Sequence, residues 1–182
     1  MEIKDIKTPE DIVTFIHENI KYGWLDIENK EHIHEMKNLR RLYRTSTVEE
    51  CLEHKIGTCL EQTNLTSYLL DQLGIPNKKF CSRVYEGENF NNLEAEERMH
   101  FFVLYYLNGK VYQIENINWE TQGINEYNSE EEAIEDINSF FINQTHGKGR
   151  KVVEYKEIAP GLSVKELNLY INSLDKGGIQ NE

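Results

Sequence analysis

Asn108-Gly109 sits between two apolar runs, Met99 to Leu107 and Lys110 to Ile117, and this constrains the fold more than any other local feature. Asn-Gly is the dipeptide of the two-residue hairpin turn, because both central residues must take positive φ. A two-residue loop pairs Leu107 with Lys110. Continued down the ladder, that register sets His100 opposite Ile117 and Phe102 opposite Glu115. Paired residues share a face and successive residues alternate. Glu115 therefore lies on the His100 face, one diagonal step away, and Asn116 points to the other side. A turn one residue longer would put Asn116 in that place instead. Gln113 also falls on the His100 face, beside apolar Leu104, and nothing in the sequence explains it there.

A second constraint lies upstream. Thr58-Cys59-Leu60-Glu61 is a capping box, a hydroxyl and a carboxylate three residues apart that satisfy each other's backbone amides. It opens a helix carrying Leu60, Leu65, Leu69, Leu70 and Leu73, ended by Gly74 and Pro76. Cys59 is the first residue of that helix. The free amides and the helix dipole there stabilise an anionic sulfur. They could also donate to an oxyanion formed when that sulfur attacks a carbonyl. A free cysteine is, taken alone, more often an inert core residue.

The remaining pattern gives helices and strands in alternation. Thr8-Pro9-Glu10-Asp11 starts a helix with Ile12, Phe15, Ile16 and Ile20 on one side, ended at Tyr22-Gly23-Trp24. A helical spacing of Ile33, Met36, Leu39, Leu42 and Tyr43 predicts a second helix from about Glu28 to Tyr43. Thr47-Val48-Glu49-Glu50 caps a short one to His54. Lys79 to Tyr85 reads as a strand and the acidic stretch Glu86 to Arg98 as a loop. Ser129 opens a helix through Phe141, Val152 to Ile158 reads as a strand, and Ser163 caps a last helix before a loose tail from Lys176. The result is an α+β chain, one domain over 1–175 with a recognisable core at about 10–120, a C-terminal addition at 121–175 and a flexible tail at 176–182. That is the size of one ordinary domain.

The chain's 32 acidic residues against 20 basic ones leave a net charge of −12 over 182 residues. Such a surface repels phosphate backbones and anionic lipid, so no nucleic-acid or membrane partner is expected, and it hints at a basic substrate or partner. The three cysteines, Cys51, Cys59 and Cys81, cannot all pair, and no leader or long apolar run appears, so the expected setting is cytoplasmic with reduced thiols. No zinc-type spacing occurs among the six histidines, and neither a metal nor a cofactor is expected. His17, His32, His34 and His54 fall in helical patterns without a partner at useful spacing.

Gly57 to Pro76 (GTCLEQTNLTSYLLDQLGIP) resembles the nucleophile segment of the transglutaminase-like superfamily. Met99 to Asn116 (MHFFVLYYLNGKVYQIEN) resembles that family's His strand, hairpin and acid strand, and Ile20 to Trp24 its lead-in. The resemblance covers about residues 10 to 120. It implies a papain-like core, with the Cys-bearing helix packed on an antiparallel sheet and extra C-terminal helices beyond it. It implies Cys59 as nucleophile, His100 as base and then acid, and Glu115 as the orienting acid. The family has Asp at the third position, so Glu115 is a departure by one methylene. Tyr22 and Trp24 are the candidates for further oxyanion donors.

The implied chemistry is acyl transfer on an amide of a peptide or protein through a Cys thioester, resolved by water in a hydrolase or by an amine in a transglutaminase. Two other readings compete. One is a catalytically inactive binding or scaffolding module, favoured by Glu115 and by the acidic loop. The other is an acyltransferase like the arylamine N-acetyltransferases, whose Cys-x-Glu-x-Asn run is approached but not met by Cys59-Leu60-Glu61-Gln62-Thr63-Asn64.

Overall fold

The computed structural model describes residues 2–85, 97–118, 120–145 and 149–174. The sequence-predicted acidic loop lies mostly outside them, as does the tail. In chain order the elements are a 3₁₀ turn, α1 (Pro9–Asn19), β1 (Lys21–Asp26), β2 (Glu31–Ile33), α2 (Leu39–Leu42), β3 (Tyr43–Arg44), α3 (Val48–His54), β4 (Ile56–Gly57) and α4 (Cys59–Gln72). They continue with β5 (Asn77–Tyr85), β6 (Glu97–Leu107), β7 (Lys110–Glu115), β8 (Gly123–Tyr127), α5 (Glu130–Thr145), β9 (Gly149–Tyr155) and α6 (Val164–Leu174).

Five strands form one antiparallel sheet in the order β8-β7-β6-β5-β9. The β6–β7 hairpin keeps the register set by its turn, Leu107 to Lys110 through Val103 to Ile114. Asn108 and Gly109 both take positive φ, 52° and 76°, as a two-residue turn of this kind requires. Alternation then sorts the core into two layers. Val103, Tyr105 and Ile114 pack with Leu65, Leu69 and Leu70 of α4 and with Ile12, Phe15 and Ile16 of α1. Phe102, Leu104 and Val111 face the other way, against Ala133 and Ile137 of α5. This is an α+β fold in which the cysteine-bearing helix lies on an antiparallel sheet, with further helices after it.

The segment 28–43 is not the predicted helix. Asn29, His34 and Asn38 take φ of 64°, 53° and 64°, and each interrupts a right-handed helix. Instead β2 pairs antiparallel with β1 through Gly23–Ile33, Trp24–His32 and Leu25–Glu31. β3 joins β1 antiparallel and β4 joins it in parallel. Tyr22-Gly23-Trp24, read as a helix end, is the middle of β1. The helical spacing of Ile33, Met36 and Leu39 arises from β2, the link after it and α2. β8 was not predicted at all. β9 begins three residues before the predicted strand and pairs along β5 from Lys79–Tyr155 to Tyr85–Gly149.

Candidate active site

Cys59 stands where the capping box puts it, at the first position of α4. Glu61 fixes that helix start. Its buried carboxylate accepts from the Thr58 amide (2.9 Å), the Thr58 hydroxyl (2.5 Å), the Tyr43 hydroxyl (2.7 Å) and the Ser46 amide (3.2 Å). Gly57 lets α3 approach closely: a Cβ there would lie 2.8 Å from Glu61 Cβ and 3.1 Å from Cys51 Sγ. Among the cysteines, Cys51 and Cys81 are buried and Cys59 is half-buried. Burial, with the Glu61 charge nearby, pushes the Cys51 thiol up to about 12.

His100 lies near the start of β6, and α4 aims its first residue there. The Cys59 thiol donates toward the Met99 carbonyl oxygen at 4.0 Å, and the sulfur lies close enough to the His100 imidazole to favour its charged form. The other side of the ring meets Glu115, Nε2 to Oε2 at 3.2 Å, across the diagonal that the hairpin register predicts. Burial opposes a charged ring, but the neighbouring Cys59 and the Glu115 carboxylate outweigh it and lift His100 up to about 10. Glu115 is only 4% exposed and fully engaged. Besides His100 it accepts from Gln113 Nε2 (3.1 Å) and from the amides of Ile117 (2.8 Å) and Asn118 (3.1 Å). Burial works against its charge too, yet His100 and these amides hold the carboxyl below its usual value.

The three sequence-predicted residues are thus brought together, and Asn116 is not among them: its side chain donates to the Thr66 hydroxyl of α4 (3.1 Å). Gln113, unexplained in the sequence, has its place as a donor to Glu115. Phe141 of α5 stands against the His100 ring, with centroids 5.5 Å apart. Trp24 is no oxyanion donor, because its indole N–H is held by the Glu35 carbonyl at 2.6 Å. Tyr22, in contrast, lines a cleft of about 430 Å³ together with Cys59 and Thr58. Burial, then the charges of Cys59 and Glu61, raise its phenol well above the usual value and keep it a donor.

A family described as a transglutaminase-like domain matches residues 2–134. The chain belongs to that family. No curated protein matches it. A crystal structure from Cytophaga hutchinsonii, of a protein provisionally named a cysteine protease, is 12% identical with a TM-score of 0.41. The comparison covers 90% of this chain and 52% of that one, so this chain spans about half its length. The match to the transglutaminase-like domain takes in Cys59, His100 and Glu115 and ends inside α5, before Phe141, β9 and α6. Among the described residues, no group of three His, Cys, Asp or Glu side chains could hold a metal ion, and no helix is long and apolar enough to cross a membrane.

Proposed function

We propose that Cys59, His100 and Glu115 are the catalytic triad of a cysteine-dependent enzyme that transfers the acyl group of a peptide or protein amide. One observation carries this reading: a single imidazole is hydrogen-bonded to a buried, fully engaged carboxylate and stands next to Met99, whose carbonyl faces the half-buried Cys59 at a helix N-terminus. That is the arrangement of nucleophile, base and orienter.

The chemistry runs in two halves. The Cys59 thiolate, paired with the imidazolium, attacks the amide carbon, and the carbonyl electrons move to oxygen. The first amides of α4 and the Tyr22 hydroxyl are the donors at hand for that oxyanion. Collapse breaks the C–N bond, and His100 gives its proton to the departing amine. Water, losing a proton to His100, then attacks the thioester, so that C–O forms, C–S breaks and the acid leaves. An amine in place of water would give transamidation with the same residues. Glu115 holds the ring and its charge throughout and does not need to exchange a proton. Its extra methylene relative to Asp is taken up by the two amides and Gln113, which pin the carboxylate at hydrogen-bond distance from Nε2.

The test is chemical. Limiting iodoacetamide near pH 6.5, mapped by mass spectrometry, should modify Cys59 well before Cys51 and Cys81, and His100→Ala should abolish that preference. Equal or absent labelling of the three would leave an inert module.

A further inference from the structure

Part of the wall beside Cys59 comes from residues after the matched domain. Phe141 of α5, and Val164 and Leu167 of α6, line the cleft together with Met36, Leu39 and Met99. Leu167 is buried in one apolar cluster with Tyr43, Leu60 and Phe101, and Val164 packs against that cluster beside Cys59. The position of α6 is fixed by Thr45. Its amide donates to the Leu162 carbonyl (2.9 Å) and its carbonyl accepts from the Gly161 amide (2.9 Å). Its hydroxyl donates to the Ala159 carbonyl (2.7 Å) and accepts from the Leu162 amide (2.9 Å). Phe141 stands against the His100 ring. The wall is therefore attached both to the helix start that carries the sulfur and to its imidazole partner.

The polar groups near this wall are largely engaged. The Tyr43 and Thr58 hydroxyls both donate to Glu61. Among the described residues, the charged side chains on the cleft are Arg40 and Arg98. A side chain entering this cleft would leave water for a lining that is mostly hydrocarbon and thioether, which favours an apolar group and penalises a carboxamide. The volume suits one large side chain with its flanking backbone.

We propose that Phe141, Val164 and Leu167 make the cleft selective for an acyl donor with a large apolar side chain, leucine-, methionine- or phenylalanine-like, beside the attacked carbonyl. This rests on the cysteine-enzyme reading above and names its substrate class.

The test uses the whole protein and a set of N-substituted iodoacetamides: unsubstituted, ethyl, butyl, hexyl, phenethyl and carbamoylethyl. Each rate at Cys59 is divided by the rate of the same reagent with glutathione. The normalised rate should climb along the apolar series, by about tenfold or more from iodoacetamide to hexyl or phenethyl, and the carbamoylethyl reagent should not share the gain. Val164→Asp should flatten the series and Val164→Leu should keep it. Val164 opens α6, where a carboxylate suits the helix start, and a thermal melt checks that the variant is folded. The wild-type series decides the matter even if the variant does not fold. A flat series on a Cys59 that still outpaces glutathione overturns the apolar pocket and leaves the triad standing. A Cys59 no faster than glutathione with any reagent overturns both.

Discussion

His32, in the small sheet around β1, and His100, in the five-stranded sheet, each face a carboxylate, and they differ in what the second ring nitrogen meets. His32 Nε2 lies 2.9 Å from Asp26 and its Nδ1 lies 3.3 Å from Glu35. Its ring is stacked flat on Trp24, centroids 3.9 Å apart at 7°. The hydrogen bond with Asp26 raises its pKa against burial, with Glu35 adding to it. His100 gives one nitrogen to Glu115 and turns the rest of the ring to a sulfur. An imidazole clamped by acids on both nitrogens can hold a proton but has nowhere to pass it. One clamped on a single nitrogen can pass its proton to a partner. The first closes the small sheet by joining β1 to β2 and the residues after it. The second can serve a reaction. Two similar ion pairs thus acquire different roles from one neighbour.

The largest expected effect separates the two rings directly. His100→Ala should slow alkylation of Cys59 near pH 6.5 by about a hundredfold, the usual worth of a positioned acid–base group. His32→Ala should instead lower the thermal midpoint and leave the Cys59 rate close to that of the wild type. Matched losses of labelling in the two variants would erase the distinction. A step smaller, Glu115→Gln should cost Cys59 about tenfold in the same assay, in line with one hydrogen bond to a charged group. Asn116→Ala should cost less. The reverse order would say that Asn116, not Glu115, supports the ring.

The finest test is by pH. Both histidines have raised folded values, so each stabilises the fold fully below the ordinary histidine value and loses that contribution as pH rises. For His100 the loss spans the interval from 6.5 up to about 10. Glu115 has the opposite sign, with its contribution present above 4.5 and lost as pH falls through its lowered value. Imidazole resonances followed by NMR should show His100 protonated at neutral pH, and Glu115→Gln should move its midpoint down. A His100 that titrates at the free-histidine value would contradict its pairing with Glu115.

Much of this was legible in the sequence wherever a local rule fixed geometry. The capping box set Cys59 at a helix start, and Asn108-Gly109 fixed a register that singled out Glu115 over Asn116. What the sequence hid depended on contacts between distant strands. The helical spacing in 28–43 matched by coincidence: of its apolar residues Ile33 and Met36 are exposed and Tyr43 is buried, so they share no common face. Nothing local marked Asn29, His34 and Asn38 as left-handed in concert. With that segment misread, the His32 pair could not be seen, since Asp26 meets it only across the β1–β2 pairing. Gln113 carries a signal that only the fold completes: a polar residue on the buried face of a strand needs a partner, and Glu115 is that partner.

The clasp at Thr45 has a consequence for the order in which the molecule is made. Cys59 and His100 leave the ribosome well before Ala159 to Leu162, the stretch that Thr45 grips, and before Leu167 behind it. Until those residues emerge, the nascent chain carries its sulfur and its ring with one flank open to water. Synthesis itself therefore delays the finished cleft, and a polypeptide stalled before α6 would hold Cys59 without the apolar wall that Val164 and Leu167 supply.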